Sequence, residues 1–451
     1  MTAIGGRFAR YVRRKSPAQS ADALRFVVER AARDVPFYKE LYGRASVKPG
    51  AVSGASDLPR LPIAQRADLL AAGHAGHLRR GVDPLELVSR RTTGTTGEPL
   101  TVFFSNTEAW FRKLTLLDSF RNRVRLPLPF SMVDVGVGDG QYGDDWAQRL
   151  GFVRIDRVYR VTPLAEQVAQ LADLRPDIVE GRPSSLWLLA RESRRVNIGL
   201  PRPRLVVSFA ETLYPHVRAE LEHAFGSCVA DYYNCQEVGN IAWECPDHDG
   251  WMHVNPSTVV VEVVDDGGEP LPVGTVGRVL LTNLYNCTMP FVRYEIGDRA
   301  ALLDVRECSC GFSGTSIRSV EGRDEDFFLL PDGREISPRL AYEVVAEALP
   351  AAQLGNELFQ AIRLFQIVQE SRDLVAVRVV PGPDYDSSLW AGLEASVRSL
   401  HPEMCVRVDL VSEEDLVSSG KFRQVTSWVG RRPSNGAELE SAPIAAGREP
   451  E

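Results

Sequence analysis

The chain has 451 residues, a formal net charge of −8, seven cysteines and a hydrophobic share of 44%. This length suits two or three domains, and the acidic balance argues against a nucleic-acid partner. No run of about 18 apolar residues predicts a membrane span, and the basic first residues lack the apolar core of a signal peptide. The few cysteines do not suggest a disulfide framework, so we expect a protein of the reducing cytoplasm.

The first half of the chain begins with helical and loop patterns and continues as an alternation of strands and helices. Residues 21–43 carry apolar groups at helical spacing until Pro36 interrupts them, and residues 44–80 read as loops with short helices. The predicted strands after this point are 131–137, 177–181 and 204–211, and the predicted helices are 163–174, 183–196 and 214–226. This alternation favours an α/β domain.

Two further sequence patterns follow along the chain. The segment from residue 251 alternates β-branched residues with turn glycines, which predicts a β-rich subdomain. From about residue 325, strand and helix patterns form a compact α+β unit of about 100 residues. The last stretch, 433–451, lacks periodicity and is expected to be disordered.

The segment RTTGTTGEPL (91–100) is rich in hydroxyls and glycine and follows an apolar run. It is not a Walker P-loop, because Gly97 is followed by Glu98 rather than by lysine. On its own it is compatible with either a loop that wraps an anion or a plain surface turn.

Four other segments occur in a fixed order downstream. They are DYYNCQEVG (231–239), PFVRYEIGDRA (290–300), VEGRDEDFFLL (320–330) and SSGKFRQV (418–425). With residues 91–100, they resemble the adenylate-forming superfamily, and most closely its phenylacetate–CoA ligase-like branch. The resemblance covers nearly the whole chain. Two departures stand out: Glu98 occupies a position where the family usually has lysine, and YNCQE replaces the commoner Tyr-Gly-Ser-Thr-Glu.

The resemblance implies a domain plan of mixed α/β and α+β class. A large adenylation domain with several subdomains would span residues 1–322, with its β-rich part at about 245–310. A hinge at 323–327, with Asp324 or Glu325 as pivot, would lead to a small mobile α+β domain at 328–432.

The resemblance also assigns roles in binding ATP. The phosphate loop would be Thr92, Thr93, Gly94, Thr95, Thr96 and Gly97, and the adenine would be surrounded by Ala210, Glu211, Asp231, Tyr232 and Tyr233. Glu237 would hold Mg²⁺, because a hard divalent ion prefers carboxylate oxygen. Asp298 would accept hydrogen bonds from both ribose hydroxyls, and Arg323 would add a ribose or phosphate contact. The alternative for Asp298 and for Arg323 is an ordinary surface ion pair.

The implied reaction begins when a carboxylate attacks the α-phosphate of ATP, which gives acyl-AMP and pyrophosphate. Lys421 is our candidate for stabilising the charge that develops on the α-phosphate. A solvated surface lysine is the alternative. The small domain would then rotate and present another face for the second step.

A second cluster of residues suggests a metal. Cys245 and His248 form one short-spaced pair, and Cys308 and Cys310 form another. Together they predict a structural zinc site that joins the two ends of the β-rich subdomain, as in some members of the branch. The alternatives are four ordinary reduced residues, or His253 as ligand in place of His248.

The acid pocket is assigned more weakly, to Phe130, Asp134, Tyr142, Asn234 and Cys235. Aromatic side chains would form its walls, and Asp134 would hydrogen-bond an amino or hydroxyl substituent. Turn chemistry explains the glycines around Asp139 equally well.

These features predict an ATP-dependent aryl-acid ligase that passes its acyl group to coenzyme A, with no membrane partner and with homodimers known among relatives. One alternative keeps adenylation but transfers the acyl group to an amine, a hydroxyl or a carrier protein. A second alternative is a non-catalytic nucleotide-binding relative.

Overall fold

The computed structural model describes residues 17–47, 50, 52–92, 99–137, 146–149, 151–303, 308–318, 320–349, 361–412, 415–416 and 422–429. Its helices are α1 (Pro17–Asp34), α2 (Pro36–Arg44), α3 (Arg66–His77), α4 (Asn106–Arg123), α5 (Trp146–Arg149), α6 (Leu164–Leu174), α7 (Pro183–Arg195), α8 (Pro215–Phe225), α9 (Pro338–Glu347) and α10 (Leu393–Leu400). No helix among these residues is both long and apolar enough to cross a bilayer.

The strands of the first half are β1 (Val88–Arg91), β2 (Thr101–Phe104), β3 (Phe130–Val137), β4 (Val153–Tyr159), β5 (Ile178–Gly181), β6 (Leu205–Phe209), β7 (Val229–Cys235), β8 (Gly239–Glu244), β9 (Trp251–Val254) and β10 (Val259–Val264). Those of the second half are β11 (Val276–Asn283), β12 (Tyr294–Leu303), β13 (Ser316–Arg318), β14 (Gly322–Arg323), β15 (Phe328–Leu329), β16 (Glu335–Ile336), β17 (Ile362–Ser371), β18 (Leu374–Pro381), β19 (Cys405–Leu410) and β20 (Val425–Ser427). The predicted α/β and α+β class is confirmed.

Several helix boundaries follow from local chemistry. Pro36 begins α2 rather than merely interrupting α1, because a proline at the first helical position gives up an N–H that would be unpaired anyway. Pro183 and Pro215 open α7 and α8 in the same way. Gly226 ends α8 in the left-handed conformation, with φ of 58°, which glycine adopts at low cost.

The large sheet has a parallel half and an antiparallel half. Its path is β10-β11-β12-β13-β9-β8-β7-β6-β5-β3-β4, and β14 adds to β12. Strands β4, β3, β5, β6 and β7 run parallel, and all remaining neighbours are antiparallel. After β3 the chain forms β4 on one side of β3, and it then returns to form β5 on the other side of β3. Ligands of open α/β sheets bind at the carboxyl ends of the strands beside such a reversal.

Both faces of the parallel half are buried. One face packs against α4 through Phe120, Met132 and Leu205. The other packs against α6, α7 and α8 through residues that include Val133 and Leu186. Because both faces are buried, these strands are nearly continuous runs of apolar residues in the sequence.

The last part of the chain forms a separate four-stranded sheet in the order β19-β18-β17-β20, covered by α9 and α10. Its apolar side joins the core beneath α7 and α8, where Tyr342 of α9 stacks on Tyr214 with 3.9 Å between ring centroids. The contact places this sheet beside the carboxyl ends of the parallel strands.

Candidate active site

A cleft of about 1460 Å³ opens at the carboxyl ends of the parallel strands. Its walls come from the β1–β2 hairpin, helix α4, strand β12 and residues 422–425 of the C-terminal sheet region. It brings together all the described residues to which nucleotide roles were assigned, as the position of the strand reversal predicts. These residues are Thr92, Ala210, Glu211, Asp231, Tyr232, Tyr233, Glu237, Asp298 and Arg323.

Asp298 and Arg323 face each other across β12 and β14, where they are register partners. Arg323 Nε lies 3.0 Å from Asp298 Oδ1, and the Tyr233 hydroxyl donates to Asp298 Oδ2 at 2.6 Å. The Asp298 carboxylate raises the pKa of the Arg323 guanidinium above its usual range. Asp298 is therefore a buried acceptor with a fixed orientation, which is suited to a pair of hydroxyl donors.

Glu237 lies in the turn between β7 and β8 and is 5% exposed. The Tyr294 hydroxyl donates to its Oε1 at 3.2 Å, and Arg66 Nη1 lies 3.7 Å from the same atom. Glu237 lines the cleft and offers a carboxylate oxygen, which is the kind of ligand that magnesium prefers.

Thr92 is the first residue of the proposed phosphate loop and follows β1 directly. Its Oγ1 accepts hydrogen bonds from the Leu100 N–H at 2.9 Å and from Arg66 Nη2 at 3.2 Å. The bond from Leu100 to Thr92 joins the residues on either side of the proposed loop. Thr93, Gly94, Thr95, Thr96 and Gly97 lie outside the described residues.

Ala210 and Glu211 follow β6 at the cleft. Ala210 has φ of 69°, a left-handed backbone that is costly for a residue other than glycine and is often retained at functional sites. Glu211 Oε2 accepts a hydrogen bond from the Ser184 N–H at 3.2 Å, at the N-terminus of α7. The helix terminus favours this negative charge.

Asp231 and Tyr232 lie on opposite faces of β7, since successive side chains alternate. Asp231 accepts from the Ser208 hydroxyl at 3.1 Å, and burial together with the nearby Glu244 raises its pKa to about 7. The Tyr232 hydroxyl donates to the Ser119 carbonyl at 3.2 Å. Tyr232 is thus held against α4, away from Asp298.

The acid-pocket assignments divide into three groups. Asp134, Asn234 and Cys235 line the cleft. Phe130 does not: it begins β3 at the end opposite the cleft and packs with Met132 in the core, so this assignment is corrected. An aromatic residue in a strand can pack in the core or line a pocket. The direction of the strand determines which of the two it does, because only the carboxyl ends of these strands face the cleft. Tyr142 and Asp139 lie outside the described residues.

Beside Asp134, Glu180 holds the register-equivalent position on the neighbouring strand β5. Burial raises the pKa of Glu180 to about 8, the negative charge of Asp134 adds to that rise, and Lys113 of α4 opposes it. The same cleft is also lined by the apolar side chains of Trp110, Leu116 and Phe209.

The predicted metal cluster forms with one ligand changed. The ligand atoms of Cys245, His253, Cys308 and Cys310 all lie within 4.8 Å of one another. His253, rather than the predicted His248, completes the set, because β9 pairs with β13 and thereby carries His253 to the cysteines. His248 instead contacts the Ser309 hydroxyl at 3.0 Å and stacks on Trp251.

This donor set fits zinc. Cys245 Sγ and Cys308 Sγ are 3.4 Å apart, and His253 Nε2 is 3.2 Å from Cys310 Sγ. Tetrahedral zinc with sulfur and nitrogen ligands needs separations of roughly 3.5–3.8 Å, so both pairs would move apart by a few tenths of an ångström to hold the ion. The Ser316 hydroxyl contacts His253 Nδ1 at 3.0 Å and so orients the ring, as outer partners of metal-binding histidines do.

The acidic segment after β14 is bonded to both parts of the chain. Arg299 of β12 pairs with Asp324 and also with Glu335, at 2.8 Å for the latter. Arg423 pairs with Asp326 and lies 3.2 Å from Glu325. Lys421 lies outside the described residues, and the two residues that follow it line the cleft.

Comparison with known proteins gives similar sequences and a similar solved structure. No family model matches the chain. The phenylacetate–coenzyme A ligase of Thermus thermophilus is 28% identical over 330 residues, which cover 70% of this chain and 72% of that protein. The enzyme of the same name from Aromatoleum evansii is 25% identical over 344 residues, with coverage of 73% and 75%.

Among solved structures, 2-hydroxyisobutyryl-CoA ligase in its postadenylation state superposes with a TM-score of 0.73 at 18% identity. The superposition covers 92% of this chain and 90% of the ligase. The sequence similarity to phenylacetate–coenzyme A ligases, together with this shared fold, supports the resemblance to the adenylate-forming superfamily and its phenylacetate–CoA ligase-like branch. Its enzyme class is that of an AMP-forming acid–CoA ligase.

Three residues of this adenylate-forming enzyme's cleft escaped the sequence analysis. Glu180 ends a predicted buried strand, and the rule for ligand positions in α/β sheets could have identified it. Lys113 lies within the helix α4, and nothing in its sequence pattern indicates that this lysine faces the cleft. Arg66 contacts residues 26 and 171 positions away, and no local pattern signals such a contact.

Proposed function

We propose that the enzyme activates an aromatic carboxylic acid with ATP and then transfers the acyl group to coenzyme A. In the first step, the carboxylate oxygen attacks the α-phosphorus of ATP and pyrophosphate leaves. In the second step, the CoA thiol attacks the acyl carbon, AMP leaves and the thiol proton is released. The observation that carries this proposal is the convergence of Asp298, Arg323, Glu237 and Thr92 on one cleft.

The nucleotide roles follow from the contacts. Asp298, fixed by Arg323 and Tyr233, would accept the ribose hydroxyls. Thr92 and the residues after it would bind the β- and γ-phosphates, and Glu237 would hold Mg²⁺ against them. Ala210, Glu211, Asp231, Tyr232 and Tyr233 would border the adenine.

For the acid, we propose a ring that carries an amino or hydroxyl substituent. Trp110, Leu116 and Phe209 offer apolar surface for the ring. Asp134 and Glu180 also line the cleft and offer carboxyl groups that can hydrogen-bond such a substituent. Phenylacetate, benzoate and aminohydroxybenzoates are the acids to compare first.

A structural zinc ion on Cys245, His253, Cys308 and Cys310 is part of the proposal. These residues tie the end of β8 and strand β9 to the segment that precedes β13. The ion would stabilise the β-rich subdomain without entering the reaction.

We further propose that the sheet formed by β17–β20 is the small mobile domain, with its hinge at residues 323–327. Asp324 bonds to an arginine of the large part, whereas Glu325 and Asp326 bond to Arg423 of the small part. Rotation about this segment would withdraw Lys421 after the first step and bring another face to the acyl-adenylate.

Pyrophosphate release, measured with each acid in the presence and absence of CoA, tests the proposal. We expect release that depends on the acid, and a thioester detectable by mass when CoA is present. An acyl-adenylate that passes to an added amine or carrier protein but not to CoA would favour the alternative acceptor. ATP binding without acid-dependent release would point to a non-catalytic relative.

A further inference from the structure

We propose that Arg112 of α4 positions Glu237 for Mg²⁺ by bonding the backbone of the two residues that precede this glutamate. The inference rests on the proposed function only in taking ATP and Mg²⁺ as ligands of the cleft. It concerns the side chain that holds the magnesium-binding carboxylate in place, whereas the carboxylate itself was assigned above.

The guanidinium of Arg112 bonds the turn between β7 and β8. Its Nη1 donates to the Gln236 carbonyl at 2.6 Å, and its Nη2 donates to the Cys235 carbonyl at 3.1 Å. Nη2 also donates to the Gln236 side-chain Oε1 at 3.3 Å. Two successive backbone carbonyls are thus bonded to one planar cation, and Glu237 is the next residue along the chain.

Other contacts bond the far side of the same turn. The Val238 N–H donates to the Cys235 sulfur at 3.3 Å, and the Tyr285 hydroxyl donates to the Val238 carbonyl at 3.1 Å. Gly239 has φ of 83°, and a Cβ at this position would lie 3.1 Å from Arg112 Cγ. The alkyl stem of Arg112 therefore lies directly against the end of the turn, in space that a larger residue would occupy.

Helix α4 is an anchored support for this arginine. Ser105 and Glu108 form a capping box at its N-terminus, and Glu108 Oε1 accepts from the Cys287 N–H at 2.8 Å. The Arg112 guanidinium also lies over the buried Phe104 ring, 5.3 Å from the ring centroid. Because Phe104 ends β2, the strand that follows the proposed phosphate loop, Arg112 connects that strand to the Glu237 turn.

The departure from the commoner family sequence falls on the residues that Arg112 bonds. YNCQE places Cys235 and Gln236 where Tyr-Gly-Ser-Thr-Glu has serine and threonine. The Cys235 sulfur accepts a hydrogen bond within the turn, and the Gln236 amide oxygen accepts one from the guanidinium. Both changed residues therefore take part in the same set of turn contacts as Arg112.

The position of the Glu237 carboxylate depends on this backbone. The Tyr294 hydroxyl donates to Glu237 Oε1 at 3.2 Å, which fixes the end of the side chain but not the turn that carries it. Mg²⁺ demands near-ideal octahedral geometry with oxygen distances of about 2.0–2.1 Å, so a small shift of the turn would weaken its binding. Without the guanidinium, two carbonyls of the turn lose their charged donor and the turn can shift.

A double-mutant cycle tests whether Arg112 acts through Glu237. Isothermal titration calorimetry of the full chain with ATP, in the presence and absence of Mg²⁺, gives the factor by which Mg²⁺ strengthens ATP binding. Arg112→Met keeps the stem but removes the charge and the donors, and it should reduce this factor by about 3- to 30-fold, the range for residues coupled in one hydrogen-bonded network. In the Glu237→Gln background, the same substitution should change the factor by less than about twofold.

Two further variants complete the test. Arg112→Lys should lie between Arg112→Met and the original protein, because it keeps the charge and loses the fork, and it replaces Arg112→Met if that variant fails to fold. Arg121→Gln is the matched control, since Arg121 is an exposed residue of the same helix, and it should leave the factor unchanged. AMP affinity without Mg²⁺ should change by less than about threefold in the Arg112 variants. Melting temperatures taken without nucleotide report any loss of folded structure.

An unchanged Mg²⁺ factor in the Arg112 variants, or an equal loss in the original and the Glu237→Gln backgrounds, would overturn the inference. A comparable loss of AMP affinity would overturn it as well, because it would show general damage to the cleft. The same holds if Mg²⁺ does not strengthen ATP binding to the original protein. If the cycle gives the predicted coupling but no acid supports pyrophosphate release, the proposed function fails while the inference stands.

Discussion

Asp298 and Arg323 are register partners on neighbouring antiparallel strands, with Arg323 Nε 3.0 Å from Asp298 Oδ1. Arg323 is the last residue of β14, immediately before the acidic segment that leads to the C-terminal sheet. A ribose bound to Asp298 would therefore sit at the junction between the two parts of the chain. We therefore expect nucleotide binding to be sensitive to the proposed hinge.

Asp298→Asn should raise the KM for ATP by about 10- to 100-fold, because it replaces a charged acceptor with a neutral amide. Tyr233→Phe removes one donor to Asp298 and should have a smaller effect, of about three- to tenfold. Steady-state pyrophosphate release at varied ATP concentrations measures both. Unchanged KM values in both variants would remove Asp298 from the nucleotide site.

The purified protein should contain one zinc ion per chain. His253→Asn and Cys308→Ser should lose it and lower the Tm by roughly 5–10 °C, because a structural metal contributes directly to folding. His248→Asn is the matched control and should retain the metal. Elemental analysis and thermal unfolding test this, and equal zinc loss in the His248 and His253 variants would contradict the assignment.

Glu180 should make stability depend on pH in a defined direction. Its pKa in the folded chain is raised to about 8 from an ordinary value of 4.5, so the folded state binds the proton more tightly than the unfolded state. This contribution is fully present below about pH 4.5 and is lost as the pH rises through about 8. Asp231, with a pKa raised to about 7, contributes in the same sense.

Glu180→Gln should consequently flatten the decline in stability between pH 5 and pH 9, and the variant should gain relative to the original protein at the alkaline end. Urea unfolding at several pH values measures the difference. A variant with the same pH slope as the original protein would show that Glu180 is not the group concerned.

Lys421→Ala should separate the two half-reactions. If the lysine stabilises charge only while the α-phosphate is attacked, acid-dependent pyrophosphate release should fall by about 10²–10³-fold. Transfer of the acyl group from pre-made acyl-adenylate should proceed at close to the normal rate. Because misfolding would damage both steps together, equal losses in the two would argue against the assigned role.

Sequence order predicted residues that the structure brings to one cleft, for a physical reason. Glu237 and Asp298 follow or lie within strands whose ends meet at one cleft, so a motif fixed in sequence also becomes fixed in space. The alternation of strands and helices likewise predicted β3, β5 and β6 with helices α6, α7 and α8, since these elements are bounded by proline, glycine or a clear change of periodicity, whereas β4 was not predicted.

Long-range contacts escaped prediction. The choice between His248 and His253 depends on the pairing of β9 with β13, and Phe130 depends on which end of β3 faces the cleft. Arg66 reaches Glu237 only because Ala64 pairs with Tyr294 across the fold. Periodicity contains no information on such pairings.

The most direct test of the account is to follow the carboxylate oxygen of the acid. An acid that supports pyrophosphate release is labelled with ¹⁸O in both carboxylate oxygens and incubated with ATP, Mg²⁺, CoA and the enzyme, and the products are analysed by mass spectrometry. Attack of the carboxylate on the α-phosphate predicts that the AMP carries one ¹⁸O atom and that pyrophosphate carries none. Unlabelled AMP, or label in pyrophosphate or inorganic phosphate, would contradict the acyl-adenylate route.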